Sequence, residues 1–486
     1  MEKGLKKQVI EGTIWKFLER IFAHGVSLIV SIIIARILTP HDFGVVSLVT
    51  IFFAFANTII SGGLNTALIQ KKDADSEDYN TVYSVSIIVS LLLYFVLFFT
   101  APFIAKAYRN EILIKIVRVM GISLPIYALK SIVCAYVSSN MDFKKFFFAT
   151  FGGTVISAFI GISMALHGFG PWALVAQQVS NTAIDTLILF ATNKLRLKFR
   201  ICLERFKSLF RYGSKILLSS LIGILYTKLN PLFIGIKYSS SDLSYYSKGE
   251  SIPGALSSSI TSTVSSVLFP FLSKCQDDKE KLLQYTRKFM RLTSYIVFPL
   301  MMGMFAVSDT FIEVFLTHKW IDAAFYVKIF CIDSMFGIIA TGNCETIKAM
   351  GRSDIFLKIE IIKKTLYFMI IGLFIAISNT PRELAYSVIL CTVVQVVVNT
   401  YPNTKLISYS VRNLLADIMP NLILSVLMCI AVSFVGKIQI DDFYKLLIQV
   451  FIGMIIYLVL SIITKNENLS YVWGYVKNRF FKAKER

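Results

Sequence analysis

The chain is short of charge. Asp, Glu, Lys and Arg make up only 16% of its 486 residues, where a soluble domain carries roughly a quarter. It also lacks long polar stretches. No break between apolar runs exceeds about 25 residues, far below the size of an independent domain, so no separate soluble domain fits. Cysteine is sparse and scattered: Cys134, Cys202, Cys275, Cys331, Cys344, Cys391 and Cys429 include no C-x-x-C pair, which excludes a disulfide framework and a zinc site. His24, His41, His167 and His318 stand far apart, and no metal ligand set is expected. There is no Gly-rich phosphate loop and no nucleophile with a base at recognisable spacing. Nor is there an acidic DxD pair beside a soluble domain. No catalytic residue and no cofactor are therefore expected. A cleavable signal peptide is also missing. The first apolar run starts near Ile10, carries Glu19, Arg20 and His24, and has no small-residue cleavage site, so it reads as a permanent helix.

What the chain has is apolar length. Hydrophobic residues make up 55% of it, and runs near the roughly 20 residues that cross a bilayer recur throughout. They lie near 12–37, 44–69, 81–105, 113–138, 147–166, 172–192, 212–236, 244–272, 288–308, 325–349, 356–377, 383–404, 416–435 and 443–464. Long continuous runs fit helices and not the short alternating strands of a closed barrel. The fold class is all-α and polytopic, with about fourteen transmembrane helices.

The net charge of +20 does not indicate nucleic acid, because the cations are spread over many short loops. Alternate loops hold about 34 and about 12 Lys and Arg. The richer set includes both termini, which places them in the cytoplasm and requires an even number of spans. The longest basic break, Lys194 to Lys215, reads either as a segment lying on anionic lipid or as a solvated loop. It divides the chain into residues 1–192, an N-terminal six-helix lobe; 193–211, a basic linker; 212–405, a C-terminal six-helix lobe; and 406–486, two extra helices and a basic tail. The lobes look related: Asp42-Phe43 and Ser47 fall on Asp242-Leu243 and Ser247 at an offset of 200. Six spans per lobe make them parallel repeats about an axis normal to the membrane.

Polar residues inside spans are functional candidates by default. Lys16, Arg20 and His24 recur every fourth residue, and Ser27 and Ser31 extend that face. Such a stripe should line a water-filled cavity, although Lys16 and Arg20 could instead snorkel to the headgroups with Glu19 pairing to Lys16. Lys228 lies mid-span beside Asn230 and Pro231, where a buried cation suits an anionic ligand or a salt bridge. Lys130 and Asp185 are further cavity candidates that could simply pair with each other. Ser257 to Ser266, including Ser258 and Thr261, is almost all hydroxyl. It either bonds its own backbone or faces water and sugar. With Asn57 in the second span, it implies a cavity between the lobes.

Several motifs carry a family resemblance. WKFLER (Trp15–Arg20), ARILTPHDFG (Ala35–Gly44), ALIQKKD (Ala67–Asp73), MDFKKF (Met141–Phe146), GFGPWALVAQQ (Gly168–Gln178), VLFPFLSKCQDD (Val267–Asp278) and AMGRSD (Ala349–Asp354) resemble Wzx-type polysaccharide flippases of the MOP superfamily, in the branch of colanic-acid and teichuronic-acid exporters. The resemblance runs to about residue 365. It implies two six-helix lobes plus two helices. The implied activity is alternating-access movement of an undecaprenyl-diphosphate-linked oligosaccharide from the cytoplasmic to the outer leaflet of a bacterial inner membrane. It also implies a proton or sodium gradient as driving force, and a polysaccharide polymerase and glycosyltransferases as partners beside the lipid-linked cargo and membrane lipids. Arg20 and Lys228 would hold the diphosphate. Many relatives carry Asn-Asp where this chain has Asn230-Pro231, so no coupling acid is implied there. The competing readings are a cation-coupled drug exporter on the same fold, and a membrane polymerase or glycosyltransferase. The latter usually needs an outer loop longer than the roughly 20 residues available here. If the two cations hold the diphosphate, Arg20→Ala and Lys228→Ala each abolish polymer export while membrane protein levels stay normal. Immunoblots paired with surface-glycan staining check this.

Overall fold

A computed structural model of the chain describes residues 2–71, 73–140, 142–193, 195 and 197–471. Their regular structure is helical throughout. The helices are α1 (Glu2–Ile37), α2 (Pro40–Ser61), α3 (Leu64–Gln70), α4 (Ser76–Ala107), α5 (Ile112–Gly121), α6 (Ser123–Ser139), α7 (Phe143–Leu166) and α8 (Pro171–Thr192). They continue with α9 (Leu203–Lys237), α10 (Ser240–Ser273), α11 (Lys279–Leu316), α12 (Ala323–Ala349), α13 (Ser353–Ile377), α14 (Pro381–Ile407), α15 (Val411–Val435) and α16 (Asp442–Ile463). Each of the fourteen predicted runs coincides with one helix or a broken pair. The second run divides at Gly62-Gly63 into α2 and α3, and the fourth divides at Ile122 into α5 and α6. Among the described residues, ten helices or pairs are apolar enough to cross a membrane on their own composition. Two fully described helices fall outside that set: α8, with Gln177, Gln178, Asn181 and Asp185, and α13, with Lys358, Glu360, Lys363 and Lys364.

The chain forms two compact units, Met1–Ser244 and Tyr245–Arg486. Within the first, α7 packs along both α1 and α8, and α9 packs on α2, α3 and α4. Within the second, α11 packs against α12, α15 and α16, and α12 against α14.

Helix starts repeat along the chain as the offset of 200 suggested. At α2, the Thr39 hydroxyl accepts from the Asp42 N–H (3.3 Å), and the Asp42 carboxylate accepts from the Thr39 N–H (3.0 Å). At α10, the Ser239 hydroxyl accepts from the Asp242 N–H (3.1 Å), and the Asp242 carboxylate accepts from the Ser239 N–H (3.1 Å). Both are capping boxes that satisfy orphan donors at a helix start. Asp75 and Asp278, from the two acidic loops, likewise cap α4 and α11. The backbone N–H of Asp78 and the nearby Arg205 hold the Asp75 carboxyl below its ordinary value. The stability from this cap is therefore complete above the ordinary carboxylate pKa of about 4 and is lost as pH falls below it.

Between Lys198 and Cys202 the basic segment after α8 is tied to α4. Asn80 Oδ1 accepts from the Lys198 N–H (2.7 Å), Ser84 Oγ from the Arg200 N–H (2.9 Å) and Thr81 Oγ1 from the Cys202 N–H (3.2 Å). Three buried side chains on α4 thus serve as the ladder partners of an extended strap. Arg205, in the first turn of α9, then pairs with Asp75 at 3.1 Å. The helix starts at Leu203, nine residues before the expected span.

The α2–α3 break is held by two glycines. Gly63 has φ +79°, and a Cβ there would lie 2.0 Å from the Gly213 carbonyl oxygen of α9. Gly168 also has a positive φ, +76°, but faces open space. Strained backbone alone costs about 1–3 kcal/mol. Gly63→Ala should therefore lower the thermal unfolding midpoint in detergent clearly more than Gly168→Ala, since only the former adds a backbone collision. Equal midpoints would show that the α3–α9 contact yields easily.

Candidate functional site

The first unit encloses a cavity of about 670 Å³. Four helices build it. Helix α1 brings Ala23, Ser27, Ser31 and Ile34, and α2 brings Phe43, Val46, Ser47 and Thr50. Helix α7 adds Thr154 and Ser157, and α8 adds Leu174, Gln177, Gln178, Asn181 and Thr182. The spacing of three and four on each helix puts every group on one face.

Small residues on α7 allow this arrangement. Gly153, Ser157, Gly161 and Ala165 recur every fourth residue and are buried. A Cβ on Gly161 would come within 2.9 Å of Gln177 Cβ, and one on Gly153 within 3.0 Å of Asp185 Cβ. This is the small-residue packing that lets membrane helices approach closely. It brings the amide face of α8 against α7, where Asn181 donates to Ser157 Oγ at 3.2 Å. The Thr50 and Thr182 hydroxyls donate to backbone carbonyls of their own helices, at 2.7 and 3.0 Å, which leaves their oxygens able to accept. Gln177 and Gln178 have no side-chain partner among the described residues. The wall is thus rich in donors and acceptors, and among the described residues it holds no charged side chain. Such a surface suits a neutral, hydroxyl-bearing ligand.

The predicted candidates divide between this site and others. The polar stripe of the first span reaches the cavity through Ser27 and Ser31. The side chains of Arg20 and His24 lie outside the described residues. Lys16 pairs with Glu19 at 2.7 Å, the local pairing weighed above. Lys130 and Asp185 form an ion pair between α6 and α8, with the Asp185 side chain only 6% exposed. They belong to the structure that holds α8 and not to the cavity wall. Asn57 is half-buried on α2, away from the wall. Lys228 is half-buried on α9 with no ion-pair partner among the described residues, and Asn230 beside it is buried. On α10, Ser258 is exposed, and its hydroxyl donates to the Ala255 carbonyl at 3.2 Å. Thr261 is half-buried. Ser257, Ser259 and Ser262 also bond backbone carbonyls of their own helix, and Ser265 reaches Glu345 at 3.1 Å.

Sequence reasoning missed Gln177, Gln178, Asn181 and Thr182, although the first two lie in a quoted motif. Their recurrence at positions i, i+1, i+4 and i+5 of a predicted span was the available signal. It also missed Asp333, an acid in the middle of a span. Asp333 sits on α12 in the second unit and accepts from Thr392 Oγ1 at 2.6 Å. Nearby, α12 and α14 are joined by buried amides: Asn343 donates to Thr400 Oγ1 (3.1 Å) and Asn403 donates to Asn343 Oδ1 (3.2 Å).

The model of a family described as polysaccharide biosynthesis protein matches residues 33–325. The chain belongs to that family. Among curated relatives, this polysaccharide biosynthesis protein is 22% identical to the lipopolysaccharide biosynthesis protein WzxC of Escherichia coli (strain K12) over 368 residues, 75% of this chain and 74% of the relative. It is 24% identical to the succinoglycan biosynthesis transport protein ExoT of Rhizobium meliloti (strain 1021), over 65% of this chain and 64% of the relative. Among solved structures it is similar in fold to the lipid II flippase MurJ in an inward closed conformation. That match has a TM-score of 0.74 and 15% identity, over 94% of this chain and 99% of the other. The Wzx-type resemblance read from the motifs is thereby supported, and the fold is that of an all-α polytopic membrane transporter.

A buried ion pair is strongly destabilised by losing one partner, by about 3–5 kcal/mol, while replacing both with apolar groups is often neutral. Asp185→Asn should therefore lower the yield of folded protein in gel filtration from detergent. The double variant Lys130→Met/Asp185→Leu should restore it. A double variant no better than the single would mean that Asp185 has a role beyond pairing.

Proposed function

We propose that this family member carries a lipid-linked oligosaccharide across the membrane in which it is embedded, as a transporter and not as an enzyme. The observation that carries this reading is the cavity of α1, α2, α7 and α8, walled by ten hydroxyl and amide side chains and, among the described residues, by no charged one. A sugar presents alternating donors and acceptors with no net charge, and it loses its hydration on entering hydrocarbon about 30 Å thick. Burying those groups unpaired costs several kcal/mol for each group. The cavity wall replaces the lost water partners. Cations at Lys228 and Arg20 serve the diphosphate that joins sugar to lipid, and the polyprenyl chain stays in the bilayer. The names of the relatives, concerned with lipopolysaccharide and succinoglycan biosynthesis, point to the same class of cargo. A cationic drug, by contrast, would favour a carboxylate, and the described wall has none.

Movement is by alternating access from the cytoplasmic to the outer leaflet of a bacterial inner membrane, with both termini cytoplasmic, as the Lys and Arg bias requires. A proton or sodium gradient supplies the driving force. Asp333 is our candidate for that coupling: its carboxylate lies within a predicted span and accepts from the Thr392 hydroxyl, and intramembrane acids commonly mark ion pathways. Glycosyltransferases that build the glycan act before this step, and a polymerase acts after it.

The test replaces cavity amides by isosteric apolar groups. Each hydrogen bond is worth about 0.5–1.5 kcal/mol, so the double variant Gln178→Leu/Asn181→Leu should slow transport of a fluorescent lipid-linked oligosaccharide in proteoliposomes by about tenfold or more. Reconstituted protein should be equal in amount. Undiminished transport would remove this cavity from the path of the cargo.

A further inference from the structure

The second unit contains a basic pocket that the transport reading does not use. Its volume is about 340 Å³, and Arg287, Lys288, Arg291, Leu292, Glu467 and Tyr471 are among its lining residues. The three cations lie on one face of α11, at positions i, i+1 and i+4. Two of them are fixed in place. Arg287 donates Nε and Nη2 to the Asp417 carboxylate, both at 2.9 Å, and Arg291 donates Nε to it at 2.8 Å. Tyr409 adds a hydroxyl donor at 3.2 Å. The Asp417 side chain is fully buried while the two arginine side chains stay about 40% exposed. The carboxylate thus anchors both arginines from behind and leaves donors facing the pocket. Glu467 approaches Arg291 only at 3.9 Å and is 90% exposed. Lys288 has no carboxylate partner among the described residues. Its ammonium sits 4.0 Å over the Tyr471 ring. Among the described lining residues and their anchor, three cations against two carboxylates leave one positive charge, beside two anchored guanidiniums.

The same row of α11 continues into apolar surface. Lys288 and Leu292 line the basic pocket. Ile296 and Leu300, one and two turns further on, line an apolar groove of about 710 Å³ with residues of α15 and α16. Each step of four residues advances about 6 Å along the helix. Ile296 and Leu300 are 56% and 42% exposed. A charged pocket and an apolar groove lined by successive turns of one helix suit an amphiphile better than a soluble anion.

We propose that the α11–α15–α16 face binds an anionic phospholipid, with its headgroup phosphate at Lys288, Arg287 and Arg291 and an acyl chain along Ile296 and Leu300. Phosphate accepts charge-assisted hydrogen bonds from fixed guanidiniums in the manner that makes arginine its usual partner. Basic pockets between membrane helices are favoured sites for such headgroups. The site is independent of the cargo reading, because none of its residues lines the sugar-type cavity.

Native mass spectrometry of the full chain in detergent tests this, with phosphatidylglycerol, phosphatidylcholine and inorganic phosphate as probes. The expected result is retention of phosphatidylglycerol over phosphatidylcholine, with about fivefold weaker retention by Lys288→Gln and recovery by Lys288→Arg. Lys288 makes no bond to Asp417, so the variant keeps the anchored arginines. Equal retention of phosphatidylglycerol by wild type and Lys288→Gln would overturn the proposal, as would indifference to the headgroup. Displacement of the lipid by millimolar inorganic phosphate would also overturn it, by assigning the pocket to a free anion.

Discussion

A polar group that enters hydrocarbon without a partner costs several kcal/mol, and nearly every feature of this chain answers that constraint. Helices satisfy the backbone within each span. Where the backbone leaves the helical state, side chains take over. Thr39 with Asp42 and Ser239 with Asp242 cap helix starts. Asn80, Thr81 and Ser84 bond an extended strap that would otherwise carry unpaired amides.

The same constraint gives different outcomes at different depths. Between α12 and α14, Asn343, Thr400 and Asn403 bond one another and are buried, so they act as glue between helices. Between α6 and α8, Lys130 and Asp185 neutralise each other. In the cavity of the first unit, the polar groups are only partly paired: Thr50, Thr182 and Asn181 each donate one bond. Gln177 and Gln178 project amides into space roomy enough for a ligand. That difference between satisfied and available groups separates scaffold from site. It also separates Asp417, which is spent on holding two arginines, from Lys288, which is not.

Much of the architecture was legible in the residues. Fourteen apolar runs became fourteen helices or broken pairs. The aligned Asp42 and Asp242 proved to be equivalent capping acids, because a cap depends on neighbours three residues away. The α2–α3 break was not visible in the apolar pattern. It rests on Gly63 meeting Gly213, a contact across 150 positions of sequence. The strap was misjudged for a similar reason: its basic composition is plain, but its partners lie on α4, more than a hundred residues earlier. At the candidate site the Ser27–Ser31 stripe was anticipated and the amide face of α8 was not. Scattered amides in an apolar helix announce themselves less than charge does.

The sequence alone determined what each segment is: a membrane helix, its basic or neutral flanks, its caps and its family motifs. These follow from local composition and from periodicities of three or four residues. Only tertiary structure decided what each polar group is for. Asp185 and Asp417 are both acids in or near spans, yet one closes an ion pair and the other anchors two arginines 126 and 130 residues away. The energy of a polar group in lipid is set by what lies within about 3 Å of it. Helix packing, and not sequence neighbourhood, supplies that partner.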